Sequence, residues 1–411
     1  MLPYRNIRMT WLLLLTIVVL SQFACKKDNV NSNPPKISQL RAISPAPNDS
    51  VLTVALPGQY LVIQGQNLAS AYNITFNGFR ANFNAGIFSD NNLVVAVPQI
   101  AWDSIPDGKL NLVEVTTAGG TATYTFPVTA PVPTIWAISN ENAVAGQQIA
   151  IAGSDFYGIT KVVFPGGKEV TSIAASGSKM LTITVPDNVT SGPLQITGAY
   201  GTGQSTIIFN NRLAPTVGFL ANFEDGDPYF GWQWWGGNKT GDASLFPNNT
   251  GNYIQVNPPS AIGPGNGGWW ADNRAVMVDK KDWLPNGNLS DPIGNYALKF
   301  EISVKDVWKN GAFMIVPNGN FNFMARYAPW ETSSTKEYTT NGTWQTVVIP
   351  LTKFLSGTGS YNSGGAPAAS IAGLTGGTNA ATIQFMLYND STTPLESFNA
   401  AVDNVRIVKI N

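Results

Sequence analysis

Residues 58–68, GQYLVIQGQNL, return at residues 146–156 as GQQIAIAGSDF. Between the glycines each copy carries a run of four apolar residues, Tyr60–Ile63 and Ile149–Ala152, short and bounded by turn residues as a β-strand is and a helix is not. The copies stay in register beyond this stretch: Gly65 and Gly153, Phe76 and Phe164, Gly78 and Gly166, and Pro98 and Pro186 all stand 88 residues apart. A repeat of this length with strand signals in each copy implies two small β-sandwiches in tandem. The glycines make turns, and the closing proline ends a strand where no further ladder donor is needed. The modules fall at residues 37–130 and 131–212. Their lone tryptophans, Trp102 and Trp136, are expected to be core or packing residues.

The remainder of the chain has the same texture. Short runs rich in Val, Ile, Thr and Phe, such as TWQTVVIP, are separated by Gly, Pro and Asn, and no long stretch has helical periodicity. The protein is therefore expected to be all-β: two tandem immunoglobulin-like sandwiches, then one larger antiparallel sandwich of jelly-roll type at residues 213–411. GFLANFEDG would be the first strand of that domain and FNAAVDNVRIVKI the last.

Composition removes several functions. Charged residues are 12% of the chain and the formal net charge is −1, so the basic surface that nucleic acid requires is missing. There is no histidine, which excludes imidazole-based triads and the usual zinc ligand.

Residues 1–24 read as a signal peptide. Two arginines with no acid precede the apolar run WLLLLTIVVL, which is too short for a comfortable bilayer span, and SQFAC follows. Cys25 is the only cysteine, so it cannot form an internal disulfide; the alternative to a processed terminus is a plain buried thiol. The arrangement resembles the bacterial lipoprotein signal, which implies lipidation at Cys25 and a polar tether at residues 25–36. KKDN, directly after the cysteine, resembles the export signal of outer-surface lipoproteins in Bacteroidota.

Nine of the twelve tryptophans lie in the last domain. Trp308 and Trp344 sit in strand-like runs and are expected in its core. Trp234 and Trp235 are adjacent, as are Trp269 and Trp270, and both doublets are flanked by glycine. Adjacent residues on a strand point to opposite faces, so one ring of each pair is expected to lie outside the core. Pyranose rings stack their C–H faces on such rings, while their hydroxyls call for Asn, Gln, Asp, Arg or Lys at the rim. Gln233, Asn238, Lys239, Asp272, Asn273 and Arg274 stand beside the doublets, and FMARYAPWE adds Arg326, Tyr327, Trp330 and Glu331.

Several resemblances attach to these residues. The repeated pattern, with ISP or ISN at the first strand and Val-Pro closing a later one, resembles the TIG (IPT) module, which acts as a spacer more often than as a binder. The opening FE.G and closing DN..I of the last domain resemble carbohydrate-binding jelly rolls, whose acids often hold a structural calcium; this implies that Glu224 and Asp403 share an ion. The other reading of those two acids is a solvated turn and a sheet edge. The whole arrangement, with NFE, GW.WWGG and RYAPW, resembles the surface glycan-binding lipoproteins of Bacteroidota polysaccharide-utilisation loci, nearest the type that binds xyloglucan. That resemblance implies an aromatic platform built from Trp234 or Trp235, Tyr327 and Trp330, with Trp269 and Trp270. It also implies attachment to the outer membrane, facing outward, beside a TonB-dependent transporter and its capture lipoprotein. Apart from the possible calcium, no cofactor is expected.

Two other classes compete. A jelly-roll glycoside hydrolase or polysaccharide lyase would need paired carboxylates or a proton-abstracting base, and no strand here carries clustered acids in a Glu-x-Asp-x-Glu pattern. A protein-binding adhesin would use the same aromatics as hot spots.

Overall fold

The structure, a computed structural model, describes residues 33–211, 218–225, 238–266, 268, 272–284, 287–318, 321–357 and 364–410. The chain divides into two compact units, Met1–Ala130 and Pro131–Asn411.

The first unit carries β1 (Lys36–Ala42), β2 (Tyr60–Gln66), β3 (Asn73–Phe76), β4 (Phe79–Arg80), β5 (Asn82–Phe83), β6 (Asn92–Ala96), β7 (Leu112–Thr117) and β8 (Gly120–Thr125). They form two sheets, ordered β1-β2-β6-β5 and β4-β3-β7-β8. The second unit opens with the same plan: β9 (Thr134–Ile138), β10 (Gln148–Ser154), β11 (Lys161–Phe164), β12 (Lys168–Val170), β13 (Ala174–Ser176), β14 (Met180–Thr184), β15 (Gly192–Gly198) and β16 (Gly201–Phe209). Their sheets run β9-β10-β14-β13 and β12-β11-β15-β16. The glycines of the repeat now have a cause. A Cβ on Gly65 would stand 1.8 Å from the Lys36 carbonyl oxygen, and one on Gly153 would stand 2.0 Å from that of Thr134. The opening strand can approach its neighbour so closely only at glycine. Gly78 and Gly166 turn at φ +83° and +84°, where a side chain would be strained.

Trp102 is buried, as expected, but Trp136 is 58% exposed. Its register explains the difference. β9 pairs with β10 through Ile135↔Gly153 and Ala137↔Ala152, so Trp136 is the extra residue of a bulge, and bulges re-aim side chains.

The C-terminal sandwich contains β17 (Phe219–Ala221), β18 (Asn238–Thr240), β19 (Tyr253–Val256), β20 (Ala275–Asp282), β21 (Tyr296–Val304), β22 (Ala312–Pro317), β23 (Phe323–Tyr327), β24 (Gln345–Pro350), β25 (Leu355–Ser356), β26 (Ala380–Tyr388) and β27 (Ala400–Lys409). One sheet runs β18-β19-β27-β21-β24 with β17 added on β27, and the other runs β20-β26-β22-β23-β25. First and last strands do pair, Phe219 opposite Arg406 and Ala221 opposite Val405. Between the sheets lie Leu298, Phe300, Ile302 and Val304 of β21 against Phe313 and Ile315 of β22 and Phe385 of β26. Phe300 and Phe385 meet edge to face at 4.9 Å. Trp308 is wholly buried in this core, and Trp344 is buried with Phe246 and Tyr253 in a smaller cluster.

The outer face of the six-stranded sheet departs from its sequence pattern. In LKFEISV (298–304) the alternation would send Lys299, Glu301 and Ser303 into water, yet all three are buried. Ser303 lies against Thr340, and the second module covers the two charged residues. Its Glu141 pairs with both Lys299 and Arg406, the latter at 2.7 Å, while Arg406 also takes Glu301 at 2.9 Å through two nitrogens. The Thr346 amide donates to the Ser139 carbonyl at 2.8 Å, and the Glu141 amide to the Thr346 hydroxyl at 2.8 Å. Two acids and two bases close a neutral buried network, the condition under which such charges are tolerated.

Candidate functional site

The five-stranded sheet has a different outer face. Register sets Ala275, Met386, Met314 and Arg326 in one row across four strands, with Met277, Gln384 and Val316 in the next. Their chain neighbours Val276, Phe385, Ile315 and Ala325 belong to the inter-sheet core, so this row points away from it. Four of the seven methionines, Met277, Met314, Met324 and Met386, lie on this face, and all are buried. An outward sheet face is ordinarily polar. Burial of all four shows that this face is covered, and flexible, polarizable thioethers suit packing beneath such a cover.

Where β23 ends, Pro329–Glu331 forms a single 3-10 turn with proline at its start, a position that needs no N–H. The turn brings Trp330 against the cluster of Met314, Met324, Met386 and Tyr388. Its indole N–H donates to the Gly311 carbonyl at 2.8 Å, and Trp308, on the core side, donates to the same oxygen at 3.2 Å. Gly311 must be glycine: φ is +66°, and a Cβ would stand 2.4 Å from the Tyr388 carbonyl oxygen.

Arg326 is held at the edge of this face. Its Nε and Nη2 donate to the two oxygens of Asp390 at 2.9 and 3.2 Å, and Nη1 meets Glu331 at 2.7 Å. Burial works against its charge, but these acids outweigh it and hold the guanidinium above its ordinary pKa. Tyr327 takes the opposite side. Its ring packs edge-on against Phe300 at 5.7 Å and Trp308 at 5.9 Å, and burial pushes its hydroxyl well above the usual tyrosine range. The structure thus joins Arg326 with Trp330 and sets Tyr327 beneath the sheet.

Trp234, Trp235, Trp269 and Trp270 lie outside the described residues, as do Cys25 and Gln233. The roots of their segments are described. Lys239 donates to the Glu224 carbonyl at 3.2 Å and to Asp225 at 3.0 Å. Arg274, expected at the rim of a ligand, is buried instead: its guanidinium donates to the Asn266 side chain at 3.2 Å and carbonyl at 3.1 Å, and to the Leu387 carbonyl at 2.9 Å. Desolvation lowers its pKa. Asn389, not singled out from sequence, is buried and donates to the carbonyls of Ile262, Gly263 and Thr393. Together Arg274 and Asn389 fasten the start of the segment that carries Trp269 and Trp270. The signal for Asn389 and Asp390 is the polar pair that closes the apolar run QFMLY, and for the methionines it is strands apolar on both faces.

Glu224 and Asp403 lie close enough to influence one another. Asp403 is buried, accepting from the Thr250 hydroxyl at 2.8 Å and the Asn404 amide at 2.7 Å. Glu224 accepts from the Asn252 amide at 3.0 Å. Burial, and then repulsion from Glu301 and Glu224, raise the Asp403 carboxyl well above its usual range. A cation would relieve that negative density, so the pair fits calcium in charge, while carbonyls and water would have to complete its six to eight oxygens. Among the described residues no group of three or more acidic, His or Cys side chains gathers for a metal.

An anchored aromatic beside an apolar outer sheet face, on a sandwich behind an immunoglobulin-like module, is an arrangement suited to holding a ligand. Residues 214–409 match the family described as surface glycan-binding protein B xyloglucan binding domain, and residues 40–129 match the IPT/TIG domain. The last domain therefore belongs to the first of these families and the first module to the second. A curated IPT/TIG domain-containing protein of Bacteroides ovatus is 23% identical over 229 residues, 52% of this chain and 47% of that protein, so the match spans about half of the relative's length. The crystal structure of the surface glycan-binding protein PbSGBP-B from Prevotella bryantii superposes with a TM-score of 0.68 at 22% identity, over 92% of this chain and 99% of that one, and shares the fold. SGBP-B from a complex xyloglucan utilisation locus of Bacteroides uniformis gives 0.47 at 19% identity, over 91% and 99%.

Proposed function

We propose that this chain captures a β-linked polysaccharide at the cell surface, with xyloglucan the first candidate, and that it does so on the outer face of the five-stranded sheet. The methionine-floored face with Trp330 pinned at its edge is the observation that carries the reading. The residues flanking Trp269 and Trp270 are tied to β26 and its end through Arg274 and Asn389, and with Trp234 and Trp235 these rings complete the aromatic surface in this reading. Arg326, fixed by Asp390 and Glu331, presents hydrogen-bonding groups to ring hydroxyls. The reading is binding without cleavage: Asp390 and Glu331, the acids beside Trp330, are both engaged by Arg326, and so do not offer the free pair that glycoside hydrolysis uses. Incubation with soluble plant polysaccharides tests both halves. Retardation in an affinity gel with no new reducing ends or unsaturated products is expected; product formation would replace this reading with an enzyme.

The same reading includes lipidation at Cys25, a position at the outer membrane, and a TonB-dependent transporter with its capture lipoprotein as partners. Cys25→Ala is expected to move the protein from the membrane fraction to the soluble one without altering its melting. It also includes a calcium ion held by Glu224 and Asp403, which predicts a fall in melting temperature on chelation and recovery with added calcium.

A further inference from the structure

The bulge that exposes Trp136 is a property of the module plan, while the tryptophan on it is not. In the first module β1 pairs with β2 through Ile37↔Gly65 and Gln39↔Gln64, which leaves Ser38 as the extra residue. In the second, Ile135↔Gly153 and Ala137↔Ala152 leave Trp136 at the same place. The fold is thus satisfied by serine there. A tryptophan that the fold does not require, 58% exposed, calls for another explanation.

Trp136 lines a cleft of about 550 Å³ between the second module and the six-stranded sheet, within the roughly 300–1,000 Å³ of small-ligand sites. Ile208, Val348 and Ile410, all exposed, line the same cleft. So do Asp291, which accepts from the Tyr296 hydroxyl at 2.8 Å, and the exposed Lys409. Glu141, Lys299 and Arg406 also line the cleft, but with Glu301 they neutralise one another. One flat indole, an aliphatic floor and a rim carrying one further acid and one further base thus select neither cations nor anions. They suit a neutral ligand with a flat C–H face and hydroxyls at its edge.

We infer that this cleft is a second saccharide site, separate from the outer face of the five-stranded sheet, which holds a further stretch of the same polysaccharide by stacking a pyranose ring on Trp136. The inference rests on the proposed function and extends it: two sites on one compact unit, engaged by one polymer, raise avidity over either alone.

The test uses the full chain and Trp136→Ser, the substitution that the first module already tolerates. Melting is expected to be unchanged. Affinity for xyloglucan polymer should fall about fivefold or more, the lower end of what loss of a stacking ring costs, and titration with xylogluco-oligosaccharide should lose one of two binding events. Equal polymer retardation and equal stoichiometry for wild type and variant would overturn the inference while leaving the proposed function standing. A wild type that binds no polysaccharide at all would remove both.

Discussion

Trp330 and Tyr327 should respond to truncation in opposite ways. Trp330 leans on the methionine face from outside, so Trp330→Ala should weaken glycan binding by about 1–3 kcal/mol, the range of aromatic stacking on a ligand ring, with a small change in melting. Tyr327 packs into the core against Phe300 and Trp308, so Tyr327→Ala should cost about 3 kcal/mol of stability, as buried aromatic truncations do, and leave the affinity of the surviving folded protein nearly intact. Calorimetry of binding and of unfolding on the pair separates the roles; matching profiles would contradict the placement. Asp403 supplies a pH test. Its folded pKa is raised, so its contribution is fully present below the unfolded value of 3.8 and is lost as pH rises through the folded one. In chelator, wild type should lose melting temperature relative to Asp403→Asn as the pH is raised from about 4 to neutrality. Calcium should restore it if the ion is bound there.

At the scale of elements, the repeat was readable and the exceptions to alternation were informative. The repeat located β2 and β10, β3 and β11, and β6 and β14 before any coordinates, because glycine spacing reflects close backbone approaches that recur in both modules. The resemblance to carbohydrate-binding jelly rolls, whose opening and closing strands lie side by side, carried over to the sandwich as well. Burial of Lys299, Glu301 and Arg406 was not, since a strand pattern shows which residues share a face and not what covers it. The same limit applies to Arg326 and Tyr327, which stand on one strand and, as neighbours, face opposite ways. Trp136 escaped because a bulge shifts the alternation by one residue, which no single-strand pattern reveals. The buried network gives a prediction at this scale: Glu141→Gln should destabilise residues 131–411 by about 3 kcal/mol or more, because it leaves Lys299 and Arg406 short of one buried counter-charge, and thermal unfolding reads the loss directly.

Over the whole molecule, the second module and the last domain form one compact unit. A fragment of residues 213–411 exposes Lys299, Glu301 and Arg406 and loses Glu141, so it should melt well below a fragment of residues 131–411, which keeps them covered. The longer fragment should bind glycan as the full chain does. The central claim, that the outer face of the five-stranded sheet holds the ligand, has a direct probe in the methionines. From residue 33 onward there are five: Met277, Met314, Met324 and Met386 on that face, and Met180 in the second module. With methionine methyl groups labelled for NMR, saturating xylogluco-oligosaccharide should shift the four face signals and leave Met180 in place. If the ligand binds and none of the four moves, the glycan lies elsewhere and the account is wrong.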